Sequence, residues 1–181
     1  MRLRPRSAVL VTLLALAACT PTYNWREVRP GGPMVALLPC KPELRSRPVP
    51  LGRPAALTVT LTVAACEAGG LHWGLSVAEV RQPQQVGPAL AALESALASN
   101  LGAAIVRPVG PVPVAGQTPH GESRQALMEG RDPSGAPLVA RSWVWARGSW
   151  VAQASVLSRG QPTSAQQEAI AAFAAGLRTA P

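Results

Sequence analysis

Residues 57–66 read LTVTLTVAAC. Leu57, Val59, Leu61 and Val63 alternate with Thr58, Thr60 and Thr62, the period of a β-strand with one apolar face. The segment before it, ELRSRPVPLG (43–52), is placed to pair with it. Pro48 and Pro50 cannot donate to a ladder, so residues 44–51 are expected at the edge of the sheet. The segment after it opens with a turn, EAGG (67–70). LHWGLSVAEV (71–80) then alternates again, with Leu71, Trp73, Leu75 and Val77 on one face. An antiparallel sheet grows outward from this stretch.

The rest of the domain follows by period. MVALLPC (34–40) is a short apolar strand ended by Pro39. Leu90, Leu93, Leu97 and Leu101 fall three, four and four apart, one face of a helix over 86–102. Pro88 suits its first turn and Gly102 its C′ position. IVRPVGPVPVAG (105–116) is too rich in proline for a central strand. Residues 122–160 read as a three-stranded meander, turned at DPSG (132–135) and ARGS (146–149). With Arg147-Gly148 as the loop, Trp145 lies opposite Trp150 and Trp143 opposite Ala152. Val144 and Val151 point to the other face, which makes this hairpin central. Ser164-x-x-Gln167 is a capping-box pattern, and Ile170, Phe173 and Leu177 form a stripe on a terminal helix. The fold class predicted is α+β, an antiparallel sheet flanked by two main helices.

The N-terminus carries an address. Arg2, Arg4 and Arg6 precede a twelve-residue apolar run, SAVLVTLLALAA (7–18). A membrane-spanning helix needs about 20 apolar residues, so the run suits a signal peptide. LAAC (16–19) resembles the bacterial lipobox. That resemblance implies cleavage before Cys19, acylation of its thiol and new amine, and stable anchoring by several chains. Thr20 in place of Asp implies outer-membrane sorting in that family. The expected organisation is a signal peptide at 1–18, a lipidated tether at 19–33 and one periplasmic domain at 34–181. TPTYNWREVRPGGP (20–33) shows no period and ends in Pro and Gly, as a tether would. Trp25 lies there beside Tyr23, and such side chains favour a membrane interface.

Cys40 and Cys66 remain once Cys19 is acylated, an even number in an oxidising compartment. A three-residue turn at Gly52-Arg53-Pro54 makes paired positions of the first hairpin add to 106, as 40 and 66 do. Facing residues of an antiparallel pair have Cα atoms about 4.5–5.5 Å apart, within reach of a disulfide. A Cys40–Cys66 bridge is expected.

Charge and chemistry exclude more than they propose. Three of the 17 basic residues lie in the signal, leaving 14 against 9 acids on the mature chain. Lys41 is the only lysine, and the arginines are scattered. Nucleic-acid proteins cluster such charge, so no nucleic-acid partner is expected. The chain has two histidines, His72 and His120, and one aspartate, Asp132. Ser123, His120 and Glu122 could be drawn as a triad, but near neighbours on an extended segment point apart. No metal-ligand spacing occurs. Neither catalytic residue, metal nor cofactor is expected.

The phrase Leu38-Pro39-Cys40-Lys41-Pro42, a hairpin, an alternating strand, a Leu-faced helix, a meander and a terminal helix together resemble the PsbP-like sandwich. That family is named for an extrinsic subunit of the oxygen-evolving photosystem and includes many bacterial envelope proteins. The chain is also similar to small proteobacterial lipoproteins that share YNWREVR and the two cysteines. The resemblance implies an α/β/α sandwich over about residues 34–178 and supplies no catalytic residue. The expectation is a monomeric, lipid-anchored, non-catalytic binding or assembly module for an envelope protein. The alternatives are a binder of a small apolar or lipid ligand and, last, a hydrolase. Ligand binding predicts a pocket between sheet and helix lined by Trp143, Trp145 or Trp150. A partner module predicts a contiguous exposed apolar patch.

Overall fold

The computed structural model describes residues 21–51, 57–103, 105–112 and 114–180. The alternating stretch lies in a twelve-residue strand and holds the hairpin expected of it. In chain order the elements are β1 (Arg26–Gly31), β2 (Met34–Leu38), β3 (Glu43–Leu51), β4 (Leu57–Ala68) and β5 (Leu71–Glu79). Then come α1 (Val86–Asn100), β6 (Ile105–Gly110), β7 (Arg124–Arg131), β8 (Pro137–Arg147), β9 (Trp150–Arg159), α2 (Ser164–Ala175) and β10 (Arg178–Thr179). The class is α+β. Among the described residues no helix is long and apolar enough to cross a membrane.

Seven strands form one antiparallel sheet in the order β3-β4-β5-β9-β8-β7-β6. Proline decides the edges. Pro48 and Pro50 lie in β3 and Pro108 in β6, the two outermost strands. The β8–β9 hairpin is central, and its two faces explain why both are apolar. Trp143 and Trp145 of β8 share one face with Ala152, Ala154 and Val156 of β9 and with Trp73 and Leu75 of β5. Val144, Ala146 and Val151 lie on the other, against Leu90 and Leu93 of α1.

The first face is covered by more than a helix. A three-stranded sheet, β1-β2-β10, shares it with α2. The stretch expected as tether, 19–33, therefore contains a strand. β1 pairs with β2 through Arg26↔Leu38, Glu27↔Leu37 and Val28↔Ala36. Only Val28 of β1 is buried, so the strand has no apolar alternation to read.

Two registers differ from expectation by two positions. Leu51 pairs with Leu57 and Glu43 with Ala65, so paired positions add to 108. The expected turn, Gly52-Arg53-Pro54, lies outside the described residues. Cys66 thus does not face Cys40 on the ladder. Cys40 sits in the bend before β3 and reaches Cys66 from there, with a Cα separation of 6.0 Å. The disulfide is present, but its cysteines are not the ladder partners that a sum of 106 requires. In the central hairpin Arg147 pairs with Trp150, so the turn is Gly148-Ser149. Gly148 has φ +57°, which a two-residue hairpin turn requires and glycine adopts freely. Trp145 then faces Ala152, and Trp143 faces Ala154. Small cross-strand partners leave room for each indole. A shift of two keeps every side chain on its face.

Local chemistry ends α1 and begins α2. Gly102 has φ +53° just beyond α1. The capping box of α2 lies one residue earlier than expected. The Thr163 hydroxyl accepts from Gln166 N–H at 3.3 Å, and Gln166 Oε1 accepts from Thr163 N–H at 2.9 Å.

Candidate functional site

Ile170 and Phe173 of α2 are buried as expected, and Leu177, expected on the same helix, is buried two residues beyond its end. Phe173 stands edge-on to Trp73 at 5.3 Å and to Trp143 at 5.8 Å. Such T-shaped contacts align the positive ring edge with the negative face. The neighbouring helix positions are small. Ala171, Ala174 and Ala175 do not fill the space between α2, Val112, Val114 and β8. A cavity of about 270 Å³ remains there. Trp143, Val112 and Val114 line its apolar interior, and Gln125 and Arg141 give it a polar rim. Ligand pockets are commonly about 300–1,000 Å³, mostly apolar with a few polar groups; at about 270 Å³ this one lies just below that range and has room only for a small amphipathic molecule.

A second cleft, about 720 Å³, opens on the same sheet face at the other pole of the molecule. It lies between Pro30 and Gly31 of β1, the Thr58, Thr60 and Thr62 row of β4, and Trp150. Arg81 and Glu79 flank it. The Glu79 carboxylate accepts from the Ser149 hydroxyl at 3.2 Å, and Thr62 shares a 2.9 Å hydroxyl contact with Ser46.

The three tryptophans expected as a ligand or partner surface are separated by this geometry. Trp143, 2% exposed, lines the α2 cavity. Trp145 is fully buried and lines neither space. Trp150 is half-buried beneath the β1–β2 turn, where a Cβ on Gly32 would collide with its ring. An exposed indole patch for a partner is not formed, because two of the three indoles are spent on the core. The large apolar side chains that are exposed, Trp25, Leu44, Val106 and Val109, lie on three different strands or loops.

The polar candidates are committed elsewhere. His120 Nδ1 accepts from the Glu122 backbone N–H at 3.1 Å. The Glu122 carboxylate accepts from Arg124 Nη1 at 2.6 Å. Arg124 also donates to Glu94 through Nε at 2.9 Å and Nη2 at 2.8 Å. The Glu94 carboxylate, helped by Glu122, holds the Arg124 guanidinium above its ordinary pKa. Ser123 Oγ is buried without a partner, so the three residues do not assemble a relay. His72 is exposed, its Nδ1 3.5 Å from the Glu67 carboxylate. Cys19 and the expected signal peptide, 1–18, lie outside the described residues.

Sequence reasoning missed two features. The Glu94–Arg124 clasp joins residues thirty positions apart, and no local pattern announces it. The aromatic cluster extends past Trp73 into the expected tether: Tyr23 and Trp25 each stand 6.2 Å from Trp73. The alternation of Tyr23 and Trp25 before β1 was the available signal. No protein-family model matches this chain, and no curated protein sequence matches it.

Proposed function

We propose that this chain is a lipid-anchored envelope protein, held by Cys19 on the periplasmic face of a bacterial outer membrane, whose domain binds a small apolar or lipid-like ligand without catalysing a reaction. The cavity between α2 and the sheet carries the ligand reading, because its apolar lining includes Trp143. It favours a ligand over an assembly partner. The Cys40–Cys66 bridge supports an oxidising compartment. A non-catalytic role is supported by the engagement of Glu122 with Arg124 and of His120 Nδ1 with the main chain. For the fold family we propose the PsbP-like sandwich, supported by the element order and by the Leu38–Pro42 phrase before β3. Nothing of the photosynthetic role is carried over.

The test is displacement of a fluorescent fatty-acid analogue, read by probe emission and by quenching of Trp143. Ala174→Leu fills the cavity from the helix side. It should weaken binding by at least about tenfold, or roughly 1.4 kcal/mol, while the thermal transition stays cooperative. Wild-type protein that binds no acyl probe would sink the ligand reading. The anchor is tested separately. Cys19→Ser should abolish palmitate labelling and membrane fractionation, and unchanged labelling would remove the lipoprotein reading.

A further inference from the structure

The chain docks on its own domain almost as soon as it leaves Cys19. Asn24 N–H donates to Pro39 O at 2.8 Å. The Tyr23 ring meets Trp73 edge-on, and its hydroxyl lies so close to Gly69 that a Cβ there would collide with it. Gly69, at φ +62°, belongs to the β4–β5 turn. The free tether is therefore not the fifteen residues of 19–33, which as flexible coil would span roughly 20 Å and let the domain swing. Four residue steps separate Cys19 from the docked Tyr23, an extended reach of at most about 14 Å.

We infer that the pole of the domain built by the β4–β5 turn and the Cys40–Cys66 bridge lies against the headgroups of the membrane that holds Cys19, with Trp25 at the interface. This rests on the acylation of Cys19 proposed above. Three features of the pole agree. Trp25 is 37% exposed there while its neighbour Tyr23 is half-buried, so part of the indole is free for the interface. Exposed charges are of both signs, Lys41 with Glu43 and Glu67, so the short tether and Trp25 set the contact, and salt should leave it unchanged. β5 starts at this pole and runs nine residues to Glu79, about 30 Å at strand rise. The cleft beside Trp150 and Arg81 therefore faces away from the bilayer.

Lys41 makes the test direct. It is exposed at the near pole and is the only lysine of the chain. A fully acylated N-terminus leaves it the only amine. Full-length protein is reconstituted in phosphatidylcholine vesicles, which carry no amine, and treated with a polymer-linked succinimidyl ester. Lys41 should react several-fold more slowly on vesicles than in detergent. Arg81→Lys adds a far-pole amine that should react at one rate in both. A twelve-residue Gly-Ser insertion between Thr20 and Pro21 keeps the docked segment and should restore the Lys41 rate. Equal Lys41 rates on vesicles and in detergent would overturn the inference, as would shielding that survives the insertion. Protein that fails to float with the vesicles would instead overturn the anchoring, and this inference with it.

Discussion

The two faces of the seven-stranded sheet are closed by different chemistry. One is aromatic: Trp73, Trp143, Trp145 and Phe173 meet under α2 and the small sheet, with segments from both chain ends. The other is aliphatic: α1 lays Val86, Ala89, Leu90 and Leu93 on Val144, Ala146 and Val151. α1 needs one local helix and an ion-pair clasp at Arg124. The aromatic face must gather β1, β2, α2 and β10 from positions 26 to 179. Where elements meet from far apart, the small side chains Ala171, Ala174 and Ala175 leave a gap beside Trp143, the α2 cavity.

The sharpest way to break this contrast is to truncate one side chain on each face. Phe173→Ala removes the ring between Trp73 and Trp143 and should cost about 3–5 kcal/mol in urea denaturation. Leu90→Ala should fall lower in the range of about 2–5 kcal/mol, because α1 can settle into the space. Equal losses would mean that the faces differ in shape but not in energetic weight.

The disulfide belongs to the aromatic side, where Cys40 and Cys66 pack at the border of that core. It closes a sequence separation of 26, for which the chain-entropy model gives about 3–4 kcal/mol. Replacing both cysteines by serine should lower stability by that amount in an oxidising buffer. Reductant should bring wild type to the same value and leave the variant unmoved. Cysteines of wild type that alkylate freely after denaturation without reductant would show that the bridge does not form.

What could be read from the sequence follows from this contrast. Alternation placed β4 and β5 and the 3-4-4 spacing placed α1, because each has an apolar face of its own, while the turns DPSG and ARGS placed β8 and β9. Parity survives two registers that differ from expectation by two positions, so Trp143 and Trp145 lie on the expected face with other partners. β1 was not legible: REVRPG buries one side chain and is held by its partner strand rather than by its own pattern. The cavity is legible only as the pocket between sheet and helix, with Trp143 in its lining, that ligand binding requires; its size is not. It depends on the distance from Ala174 to Val112, which no spacing along the chain encodes.

The clasp sharpens the other half of the comparison. Glu94 is buried on α1, and Arg124 meets it from β7 with a fork of two N–H groups. Glu94→Ala leaves Arg124 with Glu122 alone and should cost about 1–3 kcal/mol. Hydrogen exchange should then rise in α1 and stay level in α2. A uniform rise would show that the two helices open together.

The smallest effect belongs to neither face and serves as their common baseline. In the β7–β8 turn, Asp132 Oδ1 accepts from the Ser134 hydroxyl at 2.6 Å, the Ser134 N–H at 2.9 Å and the Ala136 N–H at 3.0 Å. The Ser134 hydroxyl first, then the Ala136 N–H, hold its carboxyl below the ordinary 3.8. The group is solvated, so the effect is small. A depressed folded-state pKa gives stability that is present above the unfolded value and lost as pH falls through the folded one. Asp132→Asn keeps an acceptor at this position and removes the charge. The melting-temperature gap between wild type and Asp132→Asn should be constant from neutral pH down to mildly acidic pH. It should shrink once the pH drops below 3.8, where the unfolded chain takes up its proton first. A gap that widens with acid would reverse the sign, and the turn would then owe nothing to the charge on Asp132.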